Sequence, residues 1–165
     1  MKKIAIVLLL SAFVAAPAVA ADGKNSVGIN YGLDLDGVFG IQGEFDISSM
    51  VEKAPISVQV FWKRASQDST VLGFTTTATT SALGVAGIYD LSSVFKVSNK
   101  KVQPYVGLGI RSEKAEVSIA GVTASASKSE LHVTGGVKYA LNPQFAADLN
   151  YNDFGGITVG VDYSF

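Results

Sequence analysis

Eight short stretches of this chain alternate apolar and polar residues, and no position on the apolar face of any of them is charged. Side chains alternate across an extended strand, so a period of two predicts a wall with one apolar and one polar side. The last stretch, 156–165, sets Ile157, Val159, Val161, Tyr163 and Phe165 against Thr158, Gly160, Asp162 and Ser164. A soluble sheet gains nothing from a terminal exposed phenyl ring, whereas a membrane barrel places such a ring in its interfacial girdle.

The other runs have the same form. Val27, Ile29, Tyr31 and Leu33 oppose Ser26, Gly28, Asn30 and Gly32, and Phe39, Ile41, Phe45 and Ile47 oppose Gly40, Gln42, Glu44 and Asp46. Next, Ile56, Val58, Val60 and Trp62 face away from Ser57, Gln59, Phe61 and Lys63, and Leu83, Val85, Tyr89 and Leu91 away from Ala82, Gly84, Ala86 and Asp90. Val106, Leu108 and Ile110 alternate with Gly107, Gly109 and Arg111, and Leu131, Val133, Val137 and Tyr139 with Glu130, His132, Thr134, Gly136 and Lys138. Phe145, Ala147, Leu149 and Tyr151 then oppose Ala146, Asp148, Asn150 and Asn152. Turn residues separate the runs, and 65–81 and 112–129 are expected as two long Ser- and Thr-rich loops, the first with ends that extend the flanking strands beyond the membrane and the second with a small hairpin at Ala120-Gly121. The expected fold is an all-β, eight-stranded antiparallel up-and-down transmembrane barrel, whose even strand number brings both ends to one side. Charged residues make up 16% of the chain, so their exclusion from one face fits a surface turned to lipid.

Lys2 and Lys3, the apolar run 4–14 and the small triplet Ala18-Val19-Ala20 form a secretory signal, expected as residues 1–20 and leaving 21–165 as the barrel domain. That run is too short to span a membrane as a helix, which takes about 20 apolar residues. With 17 Gly against 4 Pro the composition suits strands in close approach. There is no cysteine, and losing the signal lysines leaves a small acidic excess, so neither a disulfide scaffold nor nucleic-acid binding is indicated.

With odd strands running outward, Tyr31, Phe39, Trp62 and Tyr151 gather at the outer membrane level, and Phe45, Tyr89, Tyr139, Phe145 and Phe165 at the inner one. Two aromatic bands separated by aliphatic residues are what two interfaces select. The polar face points into a lumen that side chains can fill at this strand number. There Glu44, Asp46, Glu130, Asp148 and Asp162 meet Lys63, Arg111 and Lys138, with His132 among them, and are expected to pair as a salt-bridged plug. Glu130, His132 and Thr134 share a face like an acid, a base and a nucleophile. At about 7 Å between alternate residues, however, they have no automatic contact, and no catalytic role is expected of them. No metal cluster, phosphate loop or dinucleotide fingerprint occurs, so no cofactor is expected.

The fifth run, QPYVGLGI, and the terminal VGVDYSF resemble the small eight-stranded outer-membrane barrels of Gram-negative bacteria, the OmpA, OmpX and opacity-protein group. The resemblance implies an integral protein in contact with outer-membrane lipid and lipopolysaccharide. It also implies that Tyr163 and Phe165 are read by the barrel assembly machinery; the chain departs from OmpA itself in lacking a peptidoglycan-binding domain after the barrel, so a cell-wall tether is not implied. The expected role is structural or adhesive, with host or surface partners met through 65–81 and 112–129, whose β-branched residues suit pairing with a partner's sheet edge. Three alternatives remain open: a small-solute channel, a lipid-modifying enzyme using His132, and a soluble ligand-binding barrel with the apolar face turned inward.

Overall fold

A computed structural model of the chain describes residues 25–33, 37–51, 54–71, 74–119 and 122–165. The proposed signal, 1–20, lies outside them. Eight strands follow in order: β1 (Ser26–Gly32), β2 (Phe39–Asp46), β3 (Ile56–Val71), β4 (Phe74–Asp90), β5 (Val102–Ile119), β6 (Val122–Ala140), β7 (Phe145–Asn152) and β8 (Gly156–Ser164). Each pairs antiparallel with its neighbours in sequence, and β8 returns to β1 from Ser26↔Ser164 to Gly32↔Thr158, closing the barrel.

Closure fixes which face looks inward. Along β1 exposure alternates strictly, with Val27, Ile29 and Tyr31 outside and Ser26, Gly28 and Asn30 inside. The outer wall exposes Leu108, Ile110, Leu131 and Leu149, while His132, Asn152, Thr158, Asp162 and Asp148 are buried. A water-soluble barrel has the reverse distribution. The apolar-inside alternative is therefore excluded by the orientation of the strands themselves.

Turn chemistry sets the short connections. After β6, Asn142 Oδ1 accepts the N–H groups of Gln144 and Phe145, reversing the chain ahead of β7. Before β8, Asn152 Oδ1 accepts from Phe154 and Gly155, and Gly156 takes a left-handed φ of 63° that a side chain would oppose.

The two stretches expected as long loops are mostly strand: the extensions expected at the ends of 65–81 run nearly its whole length, and the hairpin expected about 120–121 takes in most of 112–129. β3 and β4 stay in register from Ile56↔Tyr89 to Val71↔Phe74, and β5 and β6 from Val102↔Tyr139 to Ile119↔Val122. Since β4 and β5 also pair as far as Thr76↔Ile119, the four strands continue as one sheet beyond the barrel's rim. Their alternation is weak there because both faces meet water, which removes the contrast that marks a buried strand without removing the backbone hydrogen bonds.

Candidate functional site

Two regions could carry function: the lumen and the raised sheet. In the lumen the expected single network resolves into two clusters. The inner one centres on Lys138, whose Nζ lies 2.6 Å from Glu44 Oε2 and 3.2 Å from Asp162 Oδ2. Ser57 Oγ donates to Glu44, Gln42 Nε2 to Asp162 Oδ1, and Asn30 Nδ2 to Gln42. Asp148 accepts from the Tyr105 hydroxyl at 3.0 Å and from Asn150 Nδ2 at 2.7 Å, while Asn152 and Thr158 both donate to Asn150 Oδ1. Asp148, Asn150 and Asn152 thus form a ladder along one face of β7, because side chains lean along the strand far enough to bridge alternate positions.

The outer cluster centres on Arg111. Its guanidinium reaches Glu113 Oε1 at 2.6 Å and Glu130 Oε2 at 2.8 Å, pairs with Asp153, and donates to the Leu131 carbonyl. A planar fork of five donors suits several acceptors at once. Lys128 extends the cluster above the wall, bridging Glu113 and Glu130 at 3.1 and 2.8 Å. Those hydrogen bonds, Glu130 first, hold its ammonium above the usual lysine range.

Phe61 separates the clusters. Its ring centroid lies 4.3 Å from that of His132, and it packs with Ala86, Ile88 and Tyr105 as the small apolar core. Gly84 admits this ring, since a Cβ there would collide with Phe61 Cζ. Inward of the core a cavity of about 500 Å³, lined by Glu44, Asp46, Tyr105, Lys138 and Asp162, opens at the end carrying the short turns.

Not every expected network member joins a charge pair. Asp46 accepts from the Ser48 N–H in the turn after β2 and has no ion pair among the described residues, because it sits where the strand ends. Lys63 likewise pairs with no carboxylate among the described residues and lies over the Phe61 ring at 5.4 Å. Glu130, His132 and Thr134 take separate partners: Glu130 binds Arg111 and Lys128, His132 Nδ1 meets Asp153 at 2.7 Å, and Thr134 donates to the Tyr151 carbonyl. They form no relay with one another. Among the described residues no group of metal-ligating side chains is assembled.

The sequence reading missed Glu113 and Asp153, the partners of Arg111. Continuing the period of two past Arg111 would have found Glu113; Asp153 lies in a turn and gave no signal. Of the aromatic-band residues, Tyr31, Phe39, Tyr89, Tyr139, Phe145, Tyr151 and Phe165 are exposed on the outer wall, while Phe45 and Trp62 are half-buried. Tyr163 stacks between Phe145 and Phe165, at centroid distances of 5.2 and 6.3 Å, and the Phe165 N–H donates to the Asn25 carbonyl across the barrel seam.

Above the rim, among the described residues, β3 has no strand neighbour on its β2 side beyond Arg64↔Phe39, and β6 none on its β7 side beyond Thr134↔Asn152. The raised sheet therefore has two open edges. Its outer face carries Ser66, Thr79, Lys114, Glu116, Ser125 and Ser127, with Ser66 and Thr79 hydroxyls 3.3 Å apart and Lys114 2.8 Å from Glu116.

A closed antiparallel barrel with an apolar wall and a polar, ion-paired interior defines a β-barrel membrane protein. The sequence matches the model of the outer membrane protein beta-barrel domain over residues 5–165, and the chain belongs to that family. The structure is similar to Ail, the attachment invasion locus protein of Yersinia pestis, in complex with the heparin analogue sucrose octasulfate: TM-score 0.54 and 20% identity over 86% of this chain and 97% of that one. It is also similar to Neisserial surface protein A, with a TM-score of 0.59 and 19% identity over 86% and 94% of the two chains. The N-terminal barrel domain of Pseudomonas aeruginosa OprF gives 0.55 and 17% identity over 87% and 100%. No curated protein matches significantly.

Proposed function

We propose that this outer-membrane barrel is a non-conducting scaffold that displays the raised β3–β6 sheet to a partner at the cell surface. The observation that carries this reading is the sheet's continuation past the rim with its β3 and β6 edges open. Unpaired backbone groups on such an edge can accept an extended strand from another chain, with the backbone supplying affinity. The packing of Phe61 on His132 across the lumen supports a plug, and the Arg111 cluster adds a second one toward the outside. Catalysis has no support in the separate partners of Glu130, His132 and Thr134.

Tyr163 and Phe165, at the seam where β8 meets β1, are the proposed signal for the assembly machinery, and outer-membrane lipid and lipopolysaccharide the proposed surroundings of the wall. Residues 1–20 are the proposed export signal. One Ail structure holds a polysulfated ligand, but Lys114 here pairs with Glu116, and Lys128 with Glu113 and Glu130, so edge pairing is favoured over a polyanion. The test places the protein on the surface of a bacterium and measures adhesion to host cells. Ala126→Lys, a charge on the β6 edge, is expected to abolish adhesion while leaving the barrel folded. Adhesion unchanged by it would exclude the edge, and steady single-channel currents in a planar bilayer would exclude the plug.

A further inference from the structure

The connection from β4 to β5, residues 91–101, is held by its own hydrogen bonds. The Ser92 N–H donates to Asp90 Oδ1, Phe95 to the Leu91 carbonyl, Val97 to the Ser92 carbonyl, and Lys101 to Asn99 Oδ1. Lys96 adopts φ 51°, the one non-glycine left-handed residue among those described. A lysine gains nothing locally from that conformation, so the fold around it imposes the turn.

What this ordered connection presents is an exposed apolar pair: Val94 is 57% and Phe95 64% accessible. Ser92, Val97, Asn99 and Lys100 line the mouth of the inner cavity, and Val94, Phe95 and Lys96 do not. The pair therefore stands clear of the cavity mouth. It lies one hydrogen-bonded turn beyond Leu91, which follows the exposed Tyr89 on the same face of β4, so the apolar run of the wall is carried on along the chain into the connection. Lys96, Lys100 and Lys101 accompany it, with no acidic residue anywhere in 91–101. An apolar tip flanked by cations at the margin of a lipid-facing band has the composition of an interfacial anchor.

We propose that Val94 and Phe95 insert into the inner leaflet of the membrane while Lys96 and Lys101 bind anionic phospholipid headgroups, making this connection a lipid-recognition element. The inference rests on the membrane orientation adopted above, with the short turns on the periplasmic side. Continuity with the lipid-facing wall and the unbalanced positive charge favour phospholipid over a protein as the occupant.

The test uses the mature chain folded into vesicles of phosphatidylcholine and phosphatidylglycerol, with bromine on the acyl chains of one lipid or the other. F95W in a W62F background reports on the connection, and native Trp62 reports on the wall. The expected result is a blue-shifted emission from F95W, quenched several-fold more by brominated phosphatidylglycerol than by brominated phosphatidylcholine, with K96Q/K101Q removing that preference. Equal quenching by both lipids would overturn the anionic selectivity. A water-like, unquenched emission with Trp62 still quenched would overturn the inference alone. If Trp62 also escaped quenching, the membrane placement of the wall would fail with it. Mobility that shifts only on boiling checks that each variant has folded.

Discussion

Strands β3 to β6 pass through two environments without a break in their hydrogen-bonded ladder, and the two lengths obey different rules. Within the wall their outer face shows Val60, Leu83, Leu108, Ile110, Leu131 and Val133; above the rim the same face shows Ser66, Thr79, Ser112, Lys114, Ser125 and Ser127. The inner side changes in the opposite sense, from Lys63, Arg111 and His132 below to Ala78, Ala115, Val117, Ala124 and Ala126 above. In hydrocarbon every backbone group needs a partner, so eight strands must close on themselves. In water the solvent satisfies the remainder, so four strands can rise with bare edges. The backbone geometry is common to both lengths; the cost of leaving a group unpaired differs.

Four perturbations would sharpen or break this contrast. The largest effect is expected in the lumen: Lys138→Met leaves Glu44 and Asp162 facing each other without their cation, and loss of one partner from such a buried set costs about 3–5 kcal/mol. Urea unfolding in lipid vesicles would measure it, and an unchanged midpoint would mean that the inner cluster is water-filled rather than a structural plug. Next, Leu108→Lys on the wall is expected to cost about 2–4 kcal/mol at mid-membrane depth. Ser127→Lys on the raised sheet should stay within about 0.5 kcal/mol. Equal costs at the two positions would remove the boundary drawn between them.

Third, amide hydrogen exchange followed by mass spectrometry should show full protection for wall peptides of β5 and β6 and faster exchange toward Ile119 and Val122, where both faces of the sheet and the edge of β6 meet water. Uniform protection would indicate that something covers the raised sheet. A similarly small effect is expected for Lys114→Gln, which removes the exposed pair with Glu116 at 2.8 Å and should change stability by less than about 1 kcal/mol. A larger loss in the same unfolding assay would reveal a load on the raised sheet that an exposed pair does not explain.

The wall was legible because lipid and lumen sit on opposite faces of every strand, so a period of two appears in the residues themselves. The raised sheet was legible as β-branched, Ser- and Thr-rich segments with strand extensions at the ends of the first and a small hairpin in the second, but not as one four-stranded sheet. Phe61 fell on the polar face of its strand in the sequence, and what it does there, stacking on His132 over Gly84, became visible only once β3, β4 and β6 were brought together. The turn residue Asp153 joined the Arg111 cluster for the same reason.

Local alternation, then, was enough to sort the residues of each strand into an apolar and a polar face, because the preference of a side chain for one solvent acts at its own position; closure of the strands turned the apolar face outward. Only the tertiary structure decided who meets whom inside. Lys138 finds Glu44 across a separation of 94 residues and Gln42 finds Asp162 across 120. Such pairs depend on how far each strand is staggered around the closed barrel, a property of the whole ring of registers that no single strand encodes.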